Sequence, residues 1–386
     1  MTGTVFIDTE NTTKNKGHCY TRSNKCCTIQ IAVDDDSPIV FKIEYDNEPY
    51  GDNLRKIQEF ISLCDTVVGF NFKYDLHWLK RYGIDVSNLR VWDCQIAQFV
   101  IECQTNKYPS LDGAAEYWGL GKKLDIIKTQ YWDKGLDTTE VPWDILYEYA
   151  AKDVELTREV YKAQKEYLAD KPKMHKLITL DCLDLLVLQE MEQNGLKYDV
   201  EESLAKANEL KGRINVLYSE LDSIAGVVGI NWNSGDQVSA VLYGGEIKFT
   251  RKELVPFTYK DGRTTQKLKN VEQVVTFPRL VEPLRKTELK KFGLFQTGAP
   301  ILKDLKAKGT AKLIIARLIE LSDLEKQVST YLEGIPKLIE EMEWSDNVIH
   351  GNLNQCVAVT GRLSSTKPNL QNMTADVDKL FRSRYD

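Results

Sequence analysis

Apolar residues come in short alternating runs at the start of the chain. Thr4-Val5-Phe6-Ile7, Cys27-Thr28-Ile29-Gln30-Ile31-Ala32-Val33 and Ile39-Val40-Phe41-Lys42-Ile43 are separated by turn-rich residues and predict three strands, arranged as a small meander. From Asn53 to Cys64 the period lengthens: Leu54, Ile57, Phe60 and Ile61 fall at helical spacing. Thr66-Val67-Val68-Gly69-Phe70 then predicts a further buried strand. Helical and strand patterns alternate from there, so residues 1–170 read as an α/β domain with a mixed sheet.

The pattern changes after that point. Lys171-Pro172-Lys173 reads as a linker, and Leu177 to Gln193 as a long helix stopped by a C-cap at Asn194-Gly195. Residues 200–225 and 311–343 predict two long helices. Between them lies a strand-and-loop stretch, Gly244 to Pro300, rich in Lys, Thr, Gly and Pro. Near the end, Val357-Ala358-Val359 alternates like a strand and is followed by a polar loop. The chain contains no internal repeat.

Composition narrows the class. With 386 residues, 42% hydrophobic and 28% charged, the chain is long enough for two or three packed domains and is not of the disordered or collagen type. No apolar run reaches the roughly 18 to 20 residues of a membrane span, and MTGTVFIDTE is not a signal peptide. The expectation is a cytoplasmic protein with no membrane partner. Eight cysteines form no C-x-x-C pair and only four histidines are present, so the thiols are expected to be reduced and not metal-bound. Charge is divided unevenly: residues 1–170 hold 20 Lys/Arg against 28 Asp/Glu, whereas residues 244–312 hold 16 against 7. Within the basic block, Lys248, Lys252, Lys260, Arg263, Lys267 and Lys269 are candidate phosphate contacts.

Three acidic motifs stand out. Asp8 and Glu10 follow the first strand, where residues i and i+2 share a face. Asp75 follows Asn71 by four positions at the start of an apolar helix. Tyr149 and Asp153 lie one helical turn apart, on one face. Taken singly, these are a solvated turn, a helix N-cap and a surface pair. Taken together, D-x-E, N-x-x-x-D and Y-x-x-x-D resemble the DEDD 3′-to-5′ exonucleases of the tyrosine subtype, which have a ribonuclease H-like α/β fold, over roughly residues 1–170. Ser110-Leu111-Asp112, Gly119 to Asp125 and Glu140-Val141-Pro142-Trp143 resemble, more loosely, the exonuclease domains of phage replicative polymerases. Asp93, by contrast, reads as a helix N-cap, and His77 as packed or solvent-facing.

The exonuclease resemblance implies two divalent ions, Mg²⁺ or Mn²⁺. Such hard cations take oxygen ligands, and a pair of them can clamp the attacking and leaving oxygens of an in-line displacement. By the resemblance, Asp8, Glu10 and Asp153 hold one ion and Asp8 and Asp75 the other. Tyr149 orients the attacking water, and Asn71 contacts the substrate strand. Clustered acids without a cation would repel one another and DNA.

Thr360-Gly361-Arg362-Leu363-Ser364-Ser365-Thr366-Lys367-Pro368-Asn369-Leu370-Gln371-Asn372 resembles the first palm motif of family A DNA polymerases. The resemblance implies that Arg362 reaches the minor groove, where acceptors occur in every base pair, and that Asn369 and Gln371 hold the duplex. Asn194 to Lys197 and Ser329 to Leu332 resemble thumb landmarks. The implied organisation is an exonuclease domain (1–170), a linker helix and mostly helical thumb (171–345) with a basic insertion at 244–312, and the start of an α+β palm (346–386). In the family, fingers and further palm strands follow the point reached at Asp386. A second polypeptide carrying them is therefore expected, in a split, phage-type polymerase acting on single-stranded 3′ ends and primer-template DNA. The insertion is a candidate site for a processivity factor, and residues 345–386, with a strand edge at Gln355 to Val359, are the expected interface. A truncated polymerase, a scaffolding subunit with an idle nuclease, and a free-standing DEDD exonuclease remain alternatives.

Overall fold

A computed structural model describes residues 3–46, 49–122, 125–260, 262–291 and 293–385, so Lys123 and Leu124 of the Gly119 to Asp125 run lie outside the described residues. The chain divides into two compact units, Met1–Val200 with Ile335–Asp386, and Glu201–Gly334.

The first unit is built on a five-stranded sheet. Strands β1 (Thr4–Asn11), β2 (Cys26–Val33) and β3 (Ile39–Lys42) form the expected antiparallel meander. After helix α1 (Gly51–Ser62), β4 (Thr66–Gly69) pairs parallel with β1. Helix α2 (Phe72–Arg81) leads to β5 (Arg90–Asp93), parallel to β4, which gives the order β3-β2-β1-β4-β5. β2 is buried along nearly its whole length because both faces of the sheet are covered. Helices α3 (Cys94–Ile101), α4 (Leu111–Tyr117) and α5 (Ile126–Gln130) follow, and the long α6 (Trp143–Tyr167) lies against β1, β2 and β4. Ile7, Ile31, Val68, Trp78 and Val154 belong to the core thus enclosed.

Asp93 is the N-cap of α3, as the sequence suggested. Its carboxylate accepts from the backbone N–H groups of Gln95 (2.7 Å) and Ile96 (3.1 Å). It also accepts from Phe72 (2.8 Å) and Asn71 (3.3 Å) at the start of α2, so one buried carboxylate satisfies two helix N-termini.

Lys171-Pro172-Lys173 is not a linker. Pro172 opens α7 (Pro172–Asn194), where its missing N–H costs nothing. α7 stops at Gly195, whose φ of 63° and a would-be Cβ 2.7 Å from the Ile349 carbonyl oxygen both require glycine. Next comes β6 (Leu196–Tyr198), the centre of a three-stranded sheet described below.

In the second unit, α8 (Val200–Ala225) and α9 (Gly235–Tyr243) precede a hairpin of two 14-residue strands, β7 (Gly245–Thr258) and β8 (Thr264–Phe277). Among the described residues of the hairpin, only those at its root, Ile247, Phe249 and Phe277, are buried, and the strands pack against α9. Helices α10 (Ala299–Asp304) and α11 (Gly309–Lys326) follow. Arg213 and Glu220 of α8 pair with Glu320 and Arg317 of α11. The single helix expected over 311–343 is interrupted. α11 runs into a π-helical turn, Gln327–Leu332, and a new helix, α12 (Gly334–Glu341), begins where any side chain on Gly334 would meet the Ser329 carbonyl oxygen at 2.6 Å.

From Ile335, the second residue of α12, the chain belongs to the first unit again. β9 (Val348–Ile349) and β12 (Phe381–Arg382) flank β6, and β10 (Asn352–Asn354) pairs with β11 (Ser364–Thr366), with the short α13 (Ala375–Asp378) before β12. The strand expected at Gln355 to Val359 is instead a pair of turns, closed by Val357 N–H to Gln355 O and Gly361 N–H to Ala358 O. Among the described residues, no helix is long and apolar enough to cross a membrane.

Replacing Asp93 by Ala removes the cap of two helices at once. The expected loss is about 1 to 4 kcal/mol, twice the single-cap range, seen as a lower urea midpoint with an unchanged slope. A midpoint within error of wild type would show that neither helix depends on this carboxylate.

Candidate active site

β1 pairs with β4 as far as Phe6 and with β2 through Asp8 and Glu10, which fixes the backbone that presents these two acids. α6 lies against it and delivers Asp153. Carboxylate oxygens of Asp8, Glu10 and Asp153 all lie within 4.8 Å of one another, with Glu10 and Asp153 buried and Asp8 partly so. Tyr149, one turn before Asp153, is also buried; its ring packs edge-on against Trp132 at 6.0 Å, in a small core with Ile127, Val141 and Leu146.

Asp75 stands slightly apart. It is the fourth residue of α2 and not its N-cap, a position held by Asn71 in the left-handed region. Its carboxylate accepts a hydrogen bond from Thr9 Oγ1 at 2.7 Å. Burial first, and the charge of Asp8 second, push its pKa well above the usual carboxylate range, against the pull of Thr9. The three-carboxylate cluster therefore holds Asp8, Glu10 and Asp153, with Asp75 next to Asp8 but outside it.

Two polar side chains that the sequence reading passed over complete the site. Gln30, opposite Asp8 on β2, donates from Nε2 to Asp8 Oδ2 at 2.6 Å. Thr9 Oγ1 accepts from Asn11 Nδ2 at 2.9 Å, and Asn11 Nδ2 also donates to the Tyr74 hydroxyl at 3.3 Å. A polar residue inside the apolar run Thr28-Ile29-Gln30-Ile31 was the available signal for Gln30. Asn71 is exposed and lines a pocket of about 300 Å³ with Tyr74, Lys16, Lys73 and Asn352.

His77 neither simply packs nor faces solvent. Its Nε2–H donates to the Glu192 carboxylate at 2.8 Å, and its Nδ1 meets Tyr20 OH (2.8 Å) and Gln189 Nε2 (3.0 Å). Lys73 also reaches Glu192 at 2.5 Å, as does the Leu353 N–H at 2.6 Å. Burial opposes charge on Glu192, but His77 and Lys73 bring its pKa below the usual value.

The sequence matches agree with this geometry. Residues 2–169 match the 3′-5′ exonuclease family and residues 269–384 match DNA polymerase family A. The chain carries a 3′-5′ exonuclease domain and a family A DNA polymerase segment. It is 24% identical over 382 residues to DNA polymerase I of Borreliella burgdorferi, covering 97% of this chain and 36% of that protein. It is 27% identical over 356 residues to DNA polymerase I of Chloroflexus aurantiacus, covering 89% and 33%. The chain thus spans about a third of the length of these curated relatives. A solved structure, the POL domain of Pol1 from M. smegmatis in complex with DNA primer-template and dNTP, superposes with a TM-score of 0.66 at 17% identity. It covers 98% of this chain and 54% of that one, a likeness of fold.

In the polymerase segment, Arg362 is exposed on the turn before β11. Asn369 accepts from the Gln371 N–H at 3.1 Å, and Gln371 Nε2 donates to the Leu363 carbonyl at 2.9 Å, so these two side chains shape their own loop. The six basic candidates do not form one face. Lys248 lies opposite Val274 and pairs with Glu272, whereas Lys267 lies opposite Val255, on the other face of the hairpin. Lys267 sits 4.0 Å over Phe257 and 4.6 Å over Tyr259, with Arg263 at 5.9 Å from Tyr259. Lys260 is exposed in the turn. The side chains of Lys252 and Lys269 lie outside the described residues.

His18 and His350 lie around Tyr20, His350 stacked on it at 4.0 Å. Burial first, and neighbouring charges next, lower both pKa values to about 4. Between that value and the unfolded 6.5, the unfolded chain binds more protons, so stability rises with pH through this window and is lost on acidification from about 6.5 to 4. Each group contributes at most about 1.4 kcal/mol per pH unit. In His350→Gln the slope of unfolding free energy against pH should flatten measurably across this window. An unchanged slope would show that this imidazole titrates alike in both states.

Proposed function

We propose that the chain is the proofreading 3′-5′ exonuclease part of a replicative family A polymerase, hydrolysing 3′-terminal phosphodiesters of single-stranded or frayed DNA. The convergence of Asp8, Glu10 and Asp153 carries this reading. Three hard oxygen donors from two rigid elements suit a divalent ion such as Mg²⁺ or Mn²⁺, and Asp75 beside Asp8 suits a second. In this reading Asp8, Glu10 and Asp153 hold the first ion, and Asp8 and Asp75 the second. Such ions, when bound, offset phosphate charge and acidify a water. Thr9 and Gln30 hold Asp75 and Asp8 in place, and Tyr149 orients the attacking water from the same face of α6 as Asp153. Asn71 contacts the terminal nucleotide, which must leave its stack to reach recessed carboxylates. Mispaired ends unstack at least cost.

Arg362, Asn369 and Gln371 engage primer-template DNA in this account. Phosphates are held at the hairpin chiefly by Lys260, Arg263 and Lys267. Fingers and the remaining palm come from a second polypeptide, in a phage-type split polymerase, with the hairpin as a candidate contact for a processivity factor.

Asp8→Ala or Asp153→Ala should slow digestion of a single-stranded oligonucleotide on the order of 10³-fold or more, since each removes a ligand worth several kcal/mol of barrier. EDTA should abolish digestion, and Mg²⁺ or Mn²⁺ should restore it. Tyr149→Phe should lose only about ten- to a thousandfold and retain metal binding by calorimetry. Wild-type rates in either aspartate variant would overturn the assignment.

Lys267→Ala with Arg263→Ala should weaken duplex binding at every sequence and reduce the log–log salt slope by about 0.9 per lost contact. Lys248→Ala, on the opposite face and already paired with Glu272, should change the slope less. Equal effects would mean that the two faces do not differ in DNA contact.

A further inference from the structure

The ring of Tyr149 packs in a small cluster of its own with Ile127, Val141 and Leu146, and the half-buried Trp132 lies against it. Leu146 stands on α6 with Tyr149, whereas Ile127, Trp132 and Val141 come from the segment 126–141 that precedes the helix. What surrounds the ring is therefore set largely by a segment that is not part of the sheet. Asp8 and Glu10 stand on the sheet, so the ring and the acids keep a fixed relation only if the two are joined.

The join is made by Thr138, which is fully buried. Its hydroxyl donates to the Asn11 carbonyl oxygen at 2.7 Å, one residue beyond Glu10. The same oxygen accepts from Trp132 Nε1–H at 3.2 Å, and a hydroxyl, with one proton and two lone pairs, can do both. The turn that carries Thr138 is fastened in its own right. Asp137 Oδ1 accepts from the Thr138 N–H at 2.7 Å and from the Thr13 N–H at 2.9 Å, and Glu140 closes a capping box by accepting from the Asp137 N–H at 2.8 Å. At the other end, the indole of Trp132 meets the Tyr149 ring edge-on, with centroids 6.0 Å apart and planes at 84°, an arrangement that aromatic pairs prefer. An unbroken series of contacts thus runs from Asn11 through Thr138 and Trp132 to Tyr149, one helical turn from Asp153.

We propose that Trp132, held by Thr138 to the end of β1, is a positioning residue for the exonuclease reaction: it fixes the Tyr149 ring so that the hydroxyl meets the attacking water beside Asp8, Glu10 and Asp153. The inference rests on the reading above in which Tyr149 orients that water. A hydroxyl acts on a water only within about 2.6 to 3.2 Å of it, and a misplacement of about 1 Å costs on the order of 10²-fold in rate. The Tyr149 hydroxyl lies at the far end of a side chain with two rotatable bonds, so the wall beside its ring decides where it stands. Trp132 is that wall, and its own place is set by the N–H that Thr138 accepts.

The test is a double-mutant cycle on digestion of a single-stranded oligonucleotide by the full chain at saturating Mg²⁺. Trp132→Ala should lower kcat about 10- to 100-fold, with KM and the calorimetric affinity for Mg²⁺ each within about twofold of wild type, because neither the strand nor the acids are touched. Trp132→Phe, which keeps a ring edge against Tyr149, should recover most of the loss. In a Tyr149→Phe background there is no hydroxyl to place, so Trp132→Ala should cost less than about twofold further. An equal loss of kcat with and without the Tyr149 hydroxyl overturns the proposal, as does a wild-type rate in Trp132→Ala, and either result leaves the exonuclease reading standing. A wild-type rate in Tyr149→Phe itself overturns the role given to Tyr149 and the proposal with it. Should Trp132→Ala fail to fold, Thr138→Val carries the same cycle, since it nearly keeps the side chain's size and removes both hydrogen bonds. Its loss of kcat should likewise vanish in the Tyr149→Phe background, and a loss that persists there overturns the proposal.

Discussion

The first unit is organised around a repulsion. Asp8, Glu10 and Asp153 bring carboxylate oxygens within 4.8 Å of one another in a largely buried place, with Asp75 beside them. Two like charges about 4 Å apart cost roughly 4 kcal/mol at an effective dielectric of 20. Such a site persists only if its backbone cannot relax away. β1 is held by β2 at Asp8 and Glu10 and by β4 as far as Phe6, and α6 is packed across it, so separating the acids would mean breaking the β1–β2 ladder or opening the core. Gln30 and Thr9 each supply a donor that favours the charged form of one carboxylate. The rigidity that makes this region the core of the unit is therefore the same rigidity that keeps the three carboxylates together.

The second unit contains the opposite situation. Beyond its root, the long hairpin has little packing of its own, and a two-stranded ribbon is only marginally stable in water. Its distal part is held by cross-strand contacts such as Lys267 over Phe257 and Tyr259, while Lys248 pairs with Glu272 at the root. These basic residues thus contribute to the ribbon itself. A bound strand of phosphates would have to compete with these internal contacts.

The sequence disclosed elements whose cause is local. Strand and helix periods located β1 to β4, α1 and α8, and Asn194-Gly195 ended α7 because a left-handed residue was needed there. It did not disclose features set by distant partners. Thr9 and Gln30 are inconspicuous until β2 and α2 bring them to Asp8 and Asp75. The break after Lys326 depends on how Ser329 and Gly334 approach each other. Val357-Ala358-Val359 alternates like a strand but turns, since only Cys356 among its neighbours is fully buried and Val359 faces solvent. The basic block was visible as composition, yet which lysines share a face depends on the turn between Tyr259 and Arg263, and one residue more or less there would reverse the answer.

α2 joins these observations. Lys73 and His77 are four residues apart and share one face of the helix, while Asp75 points to the other. One face therefore carries Asp75 to the acid cluster, and the opposite face carries Lys73 and His77 to Glu192, which also holds the backbone of Leu353. A buried ionic group of this kind adds little stability over an apolar substitute, but losing any one partner leaves the rest uncompensated. Its consequence is positional. The polymerase-family segment at Leu353, through Glu192, and the acid site at Asp75 are fastened to the same ten-residue helix.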